Sequence, residues 1–115
     1  MSKRDSRKWT LIDGVRRNAD HPTTFEIPDE AERLSVPIGA FVKVGFEWPE
    51  KVRQGTFGAE RMWVKITDVI IDDERTVVEY SGVLDNDPVV FDEVIKCGDL
   101  VDLEPKHILS IMAAE

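Results

Sequence analysis

A chain of 115 residues with a formal charge of −8, 42% hydrophobic and 33% charged, has the size and composition of one globular domain and excludes two large ones. Apolar runs as short as Val69-Ile70-Ile71 exclude a membrane-spanning helix. Cys97 is the only cysteine and excludes an internal disulfide, and with His21 and His107 it makes a poor ligand set for zinc, so no metal or other cofactor is expected.

The charge is unevenly spread. Residues 1–17 hold six basic groups against Asp5 and Asp13, whereas twelve acids between Asp68 and Glu104 face only Arg75 and Lys96. An acidic half of this kind repels phosphate and argues against nucleic acid as a partner. It suits a basic protein surface, which it would steer electrostatically. The first eight residues are basic, as a signal peptide's opening is, but the apolar stretch of roughly 7–15 residues that follows in such peptides is missing. A cytoplasmic location, with the whole chain as the mature form, is therefore expected.

In chain order, Trp9, Ile12, Val15 and Ala19 recur at helical spacing and predict an amphipathic helix over 5–19, against which Gly14 speaks. Residues 1–24 read as a basic N-terminal segment and 25–115 as a single β domain. Thr23 to Ile27 reads as extended. Pro28 followed by Asp29, Glu30 and Glu32 opens a short helix, because early acids suit the helix dipole, and Pro37 and Gly39 close it. From Ala40 the period becomes two, with Val42, Val44, Phe46 and Trp48 on one face; Pro49 is expected to end the strand, and Glu50–Ala59 to be a turn-rich connection.

Met62, Val64 and Ile66 then alternate against Trp63, Lys65 and Thr67, and Val69-Ile70-Ile71 breaks the alternation as a bulge or a doubly buried stretch would. Asp72-Asp73-Glu74 turns the chain into an antiparallel partner whose apolar set is Val78, Tyr80, Gly82 and Leu84. Asp85-Asn86-Asp87-Pro88 reads as a turn. Val89-Val90-Phe91 predicts a short strand, Leu100 to Leu103 another after Gly98, and Ile108 to Met112 a last one after the tight turn at Pro105. Short strands with one-turn helices predict a mainly β fold, either a small SH3-like barrel or a curled antiparallel sheet with one or two short helices. The alternative is an α+β sheet with the first helix packed across it.

Chemistry is thinly represented. Asp85, Asp87 and the neighbouring Asp92 and Glu93 are the densest oxygen ligands, but Pro88 and Val89 stand where a calcium loop needs its third ligand. His107 with Cys97 or Ser110 lacks any nucleophile motif, and the ring after a tight turn is expected to bond backbone. No enzymatic activity is expected. Trp63 opposes the inward aliphatics and therefore points outward, with Arg61 and Lys65 on its face, and Trp and Arg are enriched at binding hot spots. The candidate partner-binding residues are accordingly Trp63, Arg61 and Lys65, together with Asp85, Asn86 and Asp87 of the turn.

Glu60-Arg61-Met62-Trp63-Val64-Lys65-Ile66-Thr67, then Gly82 to Pro88, Gly98 to Val101 and Glu104 to Ile108, are similar in order to the motifs of a bacterial family of small domains of unknown function, the YegJ-like family. Phe25-Glu26-Ile27-Pro28 and Val42-Lys43-Val44 fit its upstream part, so the resemblance covers Phe25 to Ile111. It implies a bacterial or phage-borne origin and a compact domain, and it supplies no catalytic residue. The expectation is a cytoplasmic protein-interaction module, an acidic inhibitor or immunity-type protein holding a basic partner. The alternative is a small-ligand or cation-binding domain using the Asp85–Pro88 loop; an exposed tryptophan face or an unpaired edge strand would also serve a homo-oligomer.

Overall fold

The computed structural model describes residues 9–52, 56–88 and 95–112, with backbone alone for 48–52 and 56–59. Its elements run β1 (Thr10–Leu11), α1 (Gly14–Asp20), α2 (Glu30–Arg33), β2 (Phe41–Val52), β3 (Thr56–Ile71), β4 (Val77–Leu84), β5 (Leu100–Leu103), a 3-10 turn (Pro105–His107) and β6 (Ser110–Met112). The fold is mainly β, a curled antiparallel sheet with two short helices. β2, β3, β4 and β5 follow in order, and both β1 and β6 pair with the other edge of β2. The 3-10 turn thus carries the chain from one edge of the sheet at β5 to the opposite edge at β6.

The two-residue period places Val42, Val44 and Phe46 of β2 and Met62, Val64 and Ile66 of β3 on the concave face, all essentially inaccessible. Tyr80, Leu84, Val101, Leu103 and Ile108 complete the cluster. Burying each of these side chains stabilises the fold by roughly 1.5–3 kcal/mol before the entropy of ordering is counted. Trp9 belongs to the same cluster, its ring edge-on to Phe46 at 4.8 Å between centroids. The segment before residue 25 is therefore part of the same core.

Several expectations change here. The helix expected over 5–19 is confined to Gly14–Asp20, because Thr10 and Leu11 pair with Glu47 and Phe46, and Asp13 caps the helix by accepting the Arg16 N–H. Trp9 and Ile12 are buried from outside the helix, while Val15 and Ala19 remain exposed; the expected residues 5–8 lie outside the described part. Gly14 opens the helix, where a Cβ would lie 2.8 Å from the Leu109 side chain. The connection expected at Glu50–Ala59 is mostly strand, with pairing continuing to Val52↔Thr56. Pro49 is tolerated because it lies beyond the last β1 pairing, Thr10↔Glu47, where β2 is an open edge among the described residues. The strand expected at Val89–Phe91 lies outside the described residues.

The bulge expected near Val69 is present as two register shifts. The first leaves Thr67 unpaired between Ile66↔Gly82 and Asp68↔Ser81, and the second leaves Val78 unpaired between Ile70↔Glu79 and Ile71↔Val77. Each shift moves one side chain across the sheet. Val69 and Val77 pack on the core, and Ile70, Ile71 and Val78 are exposed, so this stretch is not buried on both faces and Val78 leaves the inward set expected of it.

Candidate functional site

The outer face of the sheet carries the side chains that alternate with the core. One row crosses every central strand through the pairings Met112↔Phe41, Phe41↔Lys65, Lys65↔Val83 and Val83↔Leu100. Leu100 is 68% exposed and Met112 48% exposed, while Phe41 and Val83 are half-buried. Side chains directly opposite on neighbouring strands touch, so this row is a continuous apolar band interrupted only by the Lys65 stem.

Trp63 sits beside that band. It is paired with Lys43 across β2 and β3, and the Lys43 ammonium lies 4.8 Å from the ring centroid, leaving the indole half-buried. Its backbone is held from the other side: the Trp63 carbonyl accepts the Asp85 N–H at 2.9 Å, and the Trp63 N–H donates to Asn86 Oδ1. The Asn86 side chain thereby takes the place of a backbone carbonyl beyond the end of β4. This arrangement brings together four of the candidate residues, Trp63, Lys65, Asp85 and Asn86, with exposed Asp87 on the margin.

Arg61 stands apart from them. Its guanidinium lies 5.1 Å from the Phe25 ring centroid, and Ile12 covers Gly45, the β2 partner of Arg61. Among the described residues, the segment before β2 therefore roofs this end of the outer face and leaves the Trp63 end open. Charge divides the face as well. Lys43 and Lys65 stand on β2 and β3, whereas Asp85, Asp87 and Asp99 are exposed towards β4 and β5.

His107 behaves as a turn residue: its Nδ1 accepts the Glu104 N–H at 2.9 Å, and the Glu104 carbonyl accepts the His107 N–H at 2.9 Å in return. It borders a cleft of about 260 Å³ between β1 and β5. Cys97 is an exposed free thiol. Among the described residues no group of three His, Cys, Asp or Glu side chains is placed to hold a metal ion, and no helix is long and apolar enough to cross a membrane.

The residue that sequence reasoning passed over is Arg33. At the end of a short acidic helix it reads as a surface charge favourable to the dipole, yet it is only 9% exposed. Its burial follows from Tyr80, whose hydroxyl donates to the Arg33 carbonyl at 2.8 Å and accepts the Val36 N–H at 3.2 Å, drawing α2 onto β4. A tyrosine in the inward set of a strand is the one sequence signal that a loop would be tied there. Compared with family models, with curated proteins and with solved structures, the chain finds no match in any of the three.

Proposed function

We propose that the chain is a protein-interaction module, an acidic inhibitor or immunity-type protein, whose contact surface is the outer face around Trp63. The observation that carries the reading is the band Met112, Phe41, Val83 and Leu100, left uncovered by the described residues, beside a tryptophan whose backbone N–H and carbonyl are both held by the Asp85-Asn86 turn. A rigid aromatic next to exposed apolar side chains loses little entropy on binding and excludes water from the contact. The aspartates towards β4 and β5 supply the place for the basic groups of the partner, and Lys43 and Lys65 on the other half fix its orientation.

A cytoplasmic setting belongs to the same proposal and is supported by the single exposed thiol. So does the likeness to YegJ-like domains, which rests on the sequence motifs Glu60 to Thr67, Gly82 to Pro88, Gly98 to Val101 and Glu104 to Ile108 alone. A cation-binding loop at Asp85–Pro88 is less well supported, because the Asn86 oxygen is already engaged by the Trp63 amide.

The test is affinity capture from a lysate at low salt. A defined basic protein is expected, with capture lost in Trp63→Ala and in Leu100→Asp while both variants keep the parent melting temperature. Recovery of nothing, or capture unaffected by either substitution, removes the reading.

A further inference from the structure

On the opposite side of the molecule, α1, α2, β4 and the 3-10 turn border an open cavity of about 460 Å³, within the size range of small-ligand sites. We propose that this cavity binds a carboxylate carried on an apolar body, with the Arg33 guanidinium as its counter-charge. The site is independent of the Trp63 face.

Three observations lead there. First, Arg33 lines the cavity, is buried, and is permanently charged. Its Nε donates to the Pro28 carbonyl at 2.9 Å, and its two terminal nitrogens have no acceptor and no carboxylate partner among the described residues. A buried cation left without a counter-charge is strongly unfavourable, and a planar fork with both outer nitrogens open matches a carboxylate in a two-point contact. Second, the walls beside it are apolar. Leu34, Val77 and Pro105 line the cavity, and Val15 and Val78, 40% and 43% exposed, leave methyl groups uncovered along it. Apolar surface next to an unpaired cation calls for a ligand with both characters.

Third, the remaining charges select the valence. Glu30 and Glu104 also border the cavity, with Lys106 as the only other cation among the described residues that line it. Neither glutamate pairs with Arg33, although Glu30 lies one helical turn before it. Two carboxylates at the border repel a doubly charged phosphate more than a singly charged carboxylate. A monocarboxylate with a short aliphatic or aromatic body is therefore the class that fits. The same chemistry is offered by a free organic acid and by the C-terminal residue of a polypeptide.

The experiment titrates the full chain with hexanoate and with hexanamide, which has the same body without the charge, following the methyl resonances of Val15, Leu34, Val77 and Val78. In parallel, a short peptide ending in leucine is used with a free and with an amidated C-terminus. Saturable shifts confined to those methyl groups are expected for the acids, with binding at least about tenfold weaker for both amides. Tighter binding of hexanoate than of the free-acid peptide assigns the site to small acids, and the reverse order assigns it to polypeptide termini. Arg33→Lys, which keeps the charge and loses the fork, should weaken hexanoate about tenfold. Because Arg33 also anchors α2, Val78→Glu at the exposed wall is the second variant: it should abolish binding at an unchanged melting temperature. Trp63→Ala should leave hexanoate binding intact, which separates this site from the partner surface. Absence of binding by both acids at millimolar concentration, equal binding of acid and amide, or unaltered binding by Val78→Glu overturns the proposal.

Discussion

Tyr80 joins the sheet to the end of α2 that carries Arg33, and its hydroxyl both donates and accepts in a fully buried position. Tyr80→Phe removes the donor from the Arg33 carbonyl and strands the Val36 N–H, so a loss of about 1–3 kcal/mol is expected in denaturant unfolding. Burial raises the Tyr80 phenol above its ordinary value of 10.0 and outweighs the Val36 N–H, which favours the phenolate. The folded state thus holds the proton more tightly than the unfolded chain. This contribution is fully present below the unfolded value and is lost as the pH rises through the folded one. Above pH 10 the parent protein should therefore lose stability more steeply than Tyr80→Phe, as read from unfolding midpoints on a pH series. Asn86 offers a second test at this scale. Asn86→Ala leaves the Trp63 N–H without its acceptor and should cost about 1–2 kcal/mol, whereas Asn86→Asp keeps an oxygen in place and should recover most of that loss.

The hairpin of β3 and β4 shows which parts of an element a sequence announces. Alternation at Val42, Val44 and Phe46 and at Met62, Val64 and Ile66 was legible because each run keeps one period from end to end. Val78 was not, because the shift that leaves it unpaired and exposed depends on how Ile70 and Ile71 pair with Glu79 and Val77. Trp9 and Ile12 fit a helix equally well until the pairing of Thr10 and Leu11 with β2 decides the matter. Trp63 was readable as outward-facing, but Arg33 depends on a tertiary hydrogen bond with no local signature. Gly39 before β2 and Gly98 before β5 have the same backbone surroundings. Gly39 and Gly98 have φ of 94° and 93°; each donates its N–H to the neighbouring strand, at Ile66 and Leu84, and the residue after it accepts the N–H returned. Gly98→Ala should cost about 1–2 kcal/mol through that φ alone, although space is open around it. Gly82→Ala fails for the opposite reason: its Cβ would lie 2.4 Å from the Lys65 carbonyl oxygen, which belongs to a paired strand. A loss of at least about 1–3 kcal/mol is expected, measured by the same unfolding experiment.

Across the whole molecule, two faces are left unfinished by folding: an outer sheet face with Trp63 at its open end, and a cavity around a buried arginine on the far side. The sequence made the first visible through alternation and the second not at all, since α1, α2, β4 and the 3-10 turn meet only in three dimensions. The route of the chain through Pro105–His107 has a kinetic consequence. β2, β3 and β4 are joined by short hairpins and bring neighbours in sequence together, but Val42↔Ile111 unites residues separated by more than half of the chain. Closing so long a loop is the slow entropic step, so the hairpins should gain protection first in pulsed hydrogen exchange during refolding, and the Ile108–Ile111 amides last. Until that final stitch is made, the edge of β2 stands open to any other strand, and the refolding yield should fall with protein concentration.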